Sequence, residues 1–488
     1  MPQTIPNATP QGLDGTALRA DFPVFDRLTR RGQRLVFLDS AASSPKPRAV
    51  IDAVSDAYGH HYANVHRGIY ELSEDATGRF EGARTRLARF IGAKSDREVV
   101  FVRNATEAIN LVAYSWGRTN VGPDDLILST EMEHHANLVP WQQLAVQTGA
   151  AIEYVAITDD GHLDLADLHR RLERRPKLVA VAQVSNALGA INPVAEIVRA
   201  AHEAGALVLV DAAQSIPHMP VSVSELDCDF LALSGHKMLG PSGIGALWGR
   251  RELLDAMPPF MTCGSMISRV TLEDTEWNEV PWKFEAGTPA IAEAQGLTAA
   301  IDYLEALGMA NVRAHERFLF ERAWAALSAL DGIRLLGPSD PAQHAGVISF
   351  VIEGIHPHDA ATVKGSTIPI TRPSDTRGSD RRARPFVRPA FGFSPGPAVF
   401  CYRRARPSSI PDVVSRPCSE RRNPGALARA ADDRRSGRGQ GTLGARSSRT
   451  RGGRKPRSDH AAAPWYSWIS PPSRSRRRTS RGLTATGS

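Results

Sequence analysis

Short apolar runs rich in β-branched residues alternate with longer segments of helical period between about residues 35 and 300. The runs are EVVFV (98–102), DLILST (125–130), AIEYVAI (151–157), KLVAVAQVS (177–185), ALVLVD (206–211) and DFLALS (229–234). Between them, segments such as 107–117 and 194–205 repeat apolar residues at the spacing of one helix face. This alternation predicts an α/β fold in which helices cover both faces of a mostly parallel sheet. Ligands are then expected beyond the carboxyl ends of the strands.

The pattern changes along the chain and divides it into four regions. We expect residues 1–19 to form a flexible N-terminal segment and residues 20–295 to form the large domain. Two long helical patterns and the strand candidate GVISFVIEG (346–354) indicate that residues 296–363 begin a smaller α+β domain. Beyond residue 363 neither the period of a helix nor that of a strand persists, so the smaller domain is predicted to be incomplete.

Residues 364–488 differ from the rest of the chain in charge. They carry 28 Lys and Arg against 7 Asp and Glu, whereas residues 1–363 carry 31 against 45. This Arg-, Pro-, Ser- and Gly-rich segment buries too little apolar surface to offset its ordering entropy, and we expect disorder. One hypothesis is translation in a shifted reading frame, which translating the other two frames would test. The alternative, a basic tail that binds nucleic acid or anionic membrane, is disfavoured because the segment contains no RNA-binding motif.

The cysteine count and the N-terminal sequence bear on the cellular compartment. Four scattered cysteines, Cys228, Cys263, Cys401 and Cys418, form neither a disulfide framework nor a C-x-x-C pair for zinc. The sequence has no basic segment followed by an apolar stretch at its start, and no run of about 18 apolar residues. These features predict a cytoplasmic protein that does not span a membrane.

Polar residues follow two of the predicted strands at the point where each strand ends. Asp211 closes ALVLVD, and Ser234, His236 and Lys237 follow DFLALS. An acid and an amine therefore converge on one cleft. Taken singly, Asp211 could cap a turn and Lys237 could be a solvated surface amine. The glycine-rich turn predicted for GPSGIGALWG favours a site, because glycines let other groups approach the backbone closely.

Two further segments suggest an anion site and an aromatic contact. A strand ends and a helix begins across residues 104–106, where Thr106 is predicted to cap the helix while its free N–H groups face the cleft. Such a helix start suits a phosphate, although an ordinary cap would look the same. His134 and His135 follow another strand; a metal site there is disfavoured because adjacent side chains in a loop rarely ligate one ion together.

Together, these groups meet the requirements of pyridoxal 5′-phosphate. Lys237 would form the Schiff base, Asp211 would keep the pyridine nitrogen protonated, and an imidazole would stack on the ring. The start of the helix would hold the phosphate. We therefore predict a pyridoxal phosphate site and no metal.

The chain resembles the SufS-type cysteine desulfurases, which are fold-type-I pyridoxal phosphate enzymes of the class V aminotransferase group. The resemblance extends from about residue 20 to 363 and implies a large domain with a seven-stranded, mostly parallel sheet. The segments that carry it are LDSAASSPKP (38–47), NVHRGIYELSEDAT (64–77), NATEAIN (104–110), EMEHHANLVPWQ (131–142), VSNALGAINPV (184–194), VDAAQSIPH (210–218), LSGHKMLGPSGIG (233–245) and FEAGTP (284–289).

The resemblance implies a role for each matching residue. Lys237 is implied to carry the cofactor, Asp211 to contact its ring nitrogen, and His134 to stack on the ring and move protons. Further implied cofactor contacts are Asn186 and Gln214 at the phenolic oxygen, and Thr106, Ser234 and His236 at the phosphate. The residues implied to reach the substrate or the neighbouring subunit's site are His66, Arg67, Asn186 and Thr288. The resemblance therefore implies a homodimer.

The implied reaction converts L-cysteine, or alternatively L-selenocysteine, to L-alanine, and an enzyme cysteine passes the sulfur to an acceptor protein of iron–sulfur cluster assembly. The family's nucleophilic cysteine lies in an Arg-x-Gly-His-His-Cys loop, which this sequence lacks after residue 363. The family's arginine for the substrate carboxylate should closely precede that cysteine, and Arg372 is proposed for this role from its position alone. We expect cofactor binding to persist and sulfur transfer to be impaired. The alternatives are another class V enzyme (a selenocysteine lyase, a kynureninase-like enzyme or an aminotransferase) or an inactive homologue that binds pyridoxal phosphate.

Overall fold

The computed structural model of this chain describes residues 13–30 and 32–355. The predictions for the basic tail, for Arg372, and for Cys401 and Cys418 lie outside the described residues. So does most of the predicted N-terminal segment.

A seven-stranded sheet forms the centre of the described fold. Its strands are β1 (Val99–Val102), β2 (Leu126–Thr130), β3 (Ala151–Val155), β4 (Leu178–Ala182), β5 (Leu207–Asp211), β6 (Phe230–Ser234) and β7 (Gly245–Gly249). The spatial order is β1-β7-β6-β5-β4-β2-β3, and β7 alone runs antiparallel to its neighbours. The predicted α/β class and the mostly parallel sheet are confirmed.

One strand was missed because its sequence does not look like a strand. The prediction of a glycine-rich turn across residues 240–249 is wrong for its second half, which forms β7. A Cβ atom on Gly245 would lie 2.5 Å from the carbonyl oxygen of Leu233 and 2.8 Å from the Cα atom of Asn104. Glycine is required there because β6 and the start of a helix pack directly against this strand.

Helices cover both faces of the sheet. Those of the large domain are α1 (Gly15–Leu18), α2 (Arg48–His60), α3 (Glu71–Phe90), α4 (Ala105–Val112), α5 (Arg118–Asn120), α6 (Val139–Thr148), α7 (Leu165–Leu172), α8 (Val194–Glu203), α9 (Val223–Leu226) and α10 (Arg251–Ala256). Alternate residues of β5 point to opposite faces: Val208 and Val210 join the core under α3 and α8, whereas Leu209 joins the core under α4 and α6. Burial on both faces explains why the strands read as continuous apolar runs.

The remaining elements follow the central sheet in the chain. They are β8 (Ile267–Val270), β9 (Thr275–Trp277), α11 (Ile291–Leu307), α12 (Met309–Ser328), β10 (Ile333–Leu336) and β11 (Ser349–Ile352). Helix α11 packs on α2 and α3, so the predicted domain boundary at residue 295 falls inside a helix of the main core. Phe320, Ile348 and Phe350 form a separate small core beneath the β10–β11 hairpin. Over the described ranges, no helix is both long enough and apolar enough to cross a bilayer.

Candidate active site

Asp211 and Lys237 lie at the carboxyl ends of neighbouring strands, as predicted. Asp211 is the last residue of β5 and is only 6% exposed; its Oδ1 accepts a hydrogen bond of 2.9 Å from the amide of Ala213. Lys237 ends the 3₁₀ turn Gly235–Lys237 that follows β6. Burial raises the pKa of Asp211, and the positive charge of Lys237 opposes that rise. The acid and the amine therefore interact electrostatically across the strand ends.

A distant segment holds the turn that carries Lys237. The carbonyl oxygen of His236 accepts hydrogen bonds from Lys46 Nζ at 2.7 Å and from both the amide and the hydroxyl of Ser44 at 3.1 Å. Burial, followed by the charges of Lys237 and Lys46, lowers the pKa of His236 to about 4. Burial also lowers the pKa of Lys46 to about 8. The imidazole of His236 is therefore neutral at neutral pH.

The start of α4 meets the end of β6 at the predicted phosphate site, but with a different cap. The prediction that Thr106 caps this helix is wrong: Asn104 is the N-cap, and its Oδ1 accepts from the amide of Glu107 at 3.0 Å. Thr106 is exposed in the first turn. Ser234 Oγ accepts from the amide of Ala105 at 2.9 Å, so its hydroxyl hydrogen can turn towards an anion. Ser234 and Thr106 thus flank a helix start that suits an anion.

His134 and Thr106 line the same open cavity, which has a volume of about 380 Å³. The His134 side chain is exposed, and its Nδ1 accepts from the amide of Ala136 at 3.1 Å. This contact places the hydrogen of a neutral ring on Nε2. Across the described ranges, no group of three His, Cys, Asp or Glu residues could hold a metal ion.

Two buried amide side chains lie near the strand ends. Gln214 Nε2 donates to the carbonyl oxygen of Ala41 at 2.8 Å, and its Oε1 has no partner within the described part of the chain. Gln183 Oε1, in the segment after β4, is likewise buried without a partner there. Asn186 lies three residues further on and is half-buried. Buried amide oxygens without partners are uncommon, and they indicate room for a polar ligand.

The residues that the resemblance places at a neighbouring subunit's site contact α3 and the segments around Gly264 and Phe284. His66 Nε2 is 2.7 Å from Glu81 Oε1 on α3. Arg67 lies over Gly264. Thr288 is exposed and, with residues 101–103 and 284–290, lines a cavity of about 350 Å³.

The two cysteines within the described residues differ in environment. Cys228 is fully buried, and burial raises the pKa of its thiol to about 12. It is therefore protonated at neutral pH and cannot attack a substrate sulfur. Cys263 is exposed.

The residues fit pyridoxal 5′-phosphate. A carboxyl group as buried as Asp211 gains most from a partner that brings a positive charge, as a protonated pyridine nitrogen does. The amine of Lys237, the imidazole of His134, the hydroxyl of Ser234 and the first turn of α4 would supply the other contacts to this group. A mostly parallel sheet with this set of groups at its strand ends defines a fold-type-I pyridoxal phosphate enzyme.

Comparison with known proteins gives the family. The profile of the family described as aminotransferase class-V matches residues 36–370, and the chain belongs to that family. A cysteine desulfurase of Haloferax volcanii is 47% identical over 363 residues, which are 72% of this chain and 85% of that protein. A cysteine desulfurase of Dickeya dadantii is 51% identical over 346 residues, covering 71% and 83%. The apo structure of a cysteine desulfurase from Thermococcus onnurineus NA1 matches with a TM-score of 0.70 and 39% identity, covering 75% of this chain and 88% of that one.

Sequence reasoning missed two charged residues of this region, Lys46 and Glu133. Lys46 contacts a backbone carbonyl 190 residues away, and no local pattern indicates such a contact. Glu133 precedes the histidine pair and is only 8% exposed. A glutamate next to two histidines in a predicted loop is expected to be a surface charge, so nothing in the sequence indicates that Glu133 is buried.

Proposed function

We propose that this chain binds pyridoxal 5′-phosphate on Lys237 and acts on L-cysteine as a cysteine desulfurase, with L-alanine as the carbon product. The observation that carries the proposal is the buried Asp211 beside the lysine of the next strand end. Cysteine desulfurases that are about half identical to this chain over most of their length support the substrate.

Each residue of the site has a separate task in this proposal. When bound, pyridoxal phosphate accepts electrons from the substrate carbon. Asp211 keeps a positive charge at the ring nitrogen, and the Nε2 hydrogen of His134 is placed to move a proton. Thr106, Ser234 and neutral His236 hold the phosphate at the start of α4. Gln214 and Asn186 orient the ring and the substrate.

Sulfur transfer needs a thiolate aimed at the substrate sulfur, because the carbon–sulfur bond breaks as that sulfur becomes a persulfide. The Arg-x-Gly-His-His-Cys loop is missing from the sequence, and Cys228 stays protonated. We therefore propose that delivery of sulfur to an acceptor protein of iron–sulfur cluster assembly is impaired. The missing loop also favours a second candidate function, a homologue that binds pyridoxal phosphate without transferring sulfur.

We further propose a homodimer in the cytoplasm. Ile69 is 95% exposed, and Tyr70 and Leu72 next to it in the chain are exposed as well, so one short segment presents several apolar side chains to water. Ile69 lies beside His66 and Arg67 in the chain, so a partner that covers it would also cover these two residues. A second subunit would thereby bring His66, Arg67 and Thr288 towards a cofactor site.

Borohydride reduction of the cofactor-loaded protein, followed by peptide mass spectrometry, tests the binding step. We expect the label on Lys237 and none in a Lys237→Ala variant; a label on another lysine would contradict the proposal. Alanine and sulfide are then measured from L-cysteine, with and without a thiol reductant. Alanine formation that depends on added thiol supports a desulfurase with impaired transfer, whereas binding without any alanine supports the second candidate.

A further inference from the structure

Glu133 is a buried acid that the proposed chemistry does not use. Its Oε1 accepts from the hydroxyl of Thr130 at 2.7 Å and from the amide of Ala182 at 2.9 Å, and its Oε2 accepts from Asn137 Nδ2 at 2.7 Å. These donors come from the end of β2, the end of β4 and the 3₁₀ turn His135–Asn137. Glu133 therefore joins three elements at the edge of the site.

The direction of these hydrogen bonds requires an acceptor at position 133. The indole N–H of Trp141 can only donate, and it donates to Asn137 Oδ1 at 3.0 Å. The amide of Asn137 must therefore present its NH₂ group to Glu133. The backbone N–H of Ala182 can also only donate. A carboxylate accepts on both sides, whereas glutamine would place an NH₂ group against one of these donors.

The same contacts tie His134 to the strand beside Asp211. Asn137, which Glu133 holds through its side chain, donates its backbone N–H to the carbonyl oxygen of His134 at 2.8 Å. Ala182, held by the other carboxylate oxygen, pairs in register with Asp211. Glu133 thus connects the loop of the stacking imidazole to the strand that pairs with β5.

We infer that Glu133 is a positioning residue that fixes His134 over the cofactor ring at a set distance from Asp211. This inference rests on the proposed function, in which His134 stacks on pyridoxal phosphate. Glu133 acts through the Asn137 turn and its neighbouring strand rather than by touching the cofactor. Replacing one carboxylate oxygen of Glu133 by an NH₂ group should therefore weaken cofactor binding by no more than the contribution that His134 makes to that binding.

A double-mutant cycle on the full chain tests the inference. The dissociation constant for pyridoxal phosphate is measured for the wild type, Glu133→Gln, His134→Ala and the double variant. Glu131→Gln, an exposed glutamate in the same loop, is the matched control. Circular dichroism and urea unfolding show whether each variant folds. If Glu133→Gln does not fold, Thr130→Val removes one donor to the same carboxylate and takes its place in the cycle.

We expect Glu133→Gln to weaken binding by about two- to tenfold, which is the range of one aromatic contact. Glu131→Gln should leave binding unchanged, and the double variant should bind as His134→Ala does. Thr130→Val should act in the same direction and lose its effect in the His134→Ala background. The inference is overturned if the effects of Glu133 and His134 multiply, or if binding does not change in Glu133→Gln. A wild-type chain that binds no pyridoxal phosphate would overturn both this inference and the proposed function.

Discussion

Replacing Arg84 by methionine should destabilise the fold by several kcal/mol. Arg84 lies on α3 with its side chain 1% exposed. Its guanidinium donates to both carboxylate oxygens of Glu285, at 2.5 and 2.9 Å, to Glu81 Oε2 at 2.8 Å and to the carbonyl oxygen of Val99 at 2.9 Å. One cation therefore satisfies two acids and a backbone carbonyl in the interior.

The size of the effect follows from what Arg84→Met leaves behind. The Glu285 side chain is 6% exposed. It would lose both hydrogen bonds from Arg84 and would keep the 2.7 Å hydrogen bond from the amide of Phe101. Burial works against ionisation of Glu81, but hydrogen bonds from His66 and Arg84 hold the pKa of that carboxyl well below its usual range. Removing one partner of a buried pair costs about 3–5 kcal/mol, because the other charge stays buried without compensation.

Urea unfolding at neutral pH measures this cost, with an exposed ion pair as the control. Arg79 and Asp75 are 3.0 Å apart on the same helix, with both side chains 40% exposed, so Arg79→Met should cost less than about 1 kcal/mol. Adding Glu285→Gln to Arg84→Met should recover part of the loss, since the uncompensated charge disappears. The reasoning is refuted if Arg84→Met costs no more than Arg79→Met, or if the double variant is the less stable of the two.

Three further predictions concern the site and its supports. Burial lowers the pKa of Lys46 to about 8, so between about pH 8 and 10.5 the unfolded chain keeps a proton on Lys46 that the folded chain has lost. The free energy of unfolding of the wild type, relative to that of Lys46→Met, should therefore rise by about 3 kcal/mol over this pH range. A difference in unfolding free energy that does not change with pH in urea titrations would contradict this prediction. Asn104→Ala should cost about 1 kcal/mol as the lost cap, whereas Thr106→Ala should cost less than about 0.5 kcal/mol yet weaken pyridoxal phosphate binding; equal stability losses would show that the cap is misassigned. Gly189→Ala should cost about 2–5 kcal/mol in urea unfolding, since φ is +71° and the new Cβ would lie 2.3 Å from the His344 ring; wild-type stability would disprove the close packing.

Much of the site follows from local pattern. Asp211 ends one apolar run and Lys237 closely follows the next, and in a parallel sheet the ends of neighbouring strands meet at one edge, so their convergence was predictable. The cap of α4 was not, because Asn104 and Thr106 both suit an N-cap and only the backbone conformation separates them. Strand β7 was not predicted because glycine has a low strand propensity. Gly245 is required in this strand by the close packing of other elements against it.

The sequence by itself determined the alternation of strands and helices, because apolar periodicity is a property of a few consecutive residues. This alternation also determined the edge of the sheet at which the functional side chains lie. Only the tertiary structure decided which distant groups support that edge. Lys46 reaches the carbonyl oxygen of His236 across 190 residues, and Glu133 becomes a buried acceptor once β2 and β4 lie side by side. Such contacts depend on which elements become neighbours, and that is settled by burying apolar faces of the whole fold rather than by any short stretch of the chain.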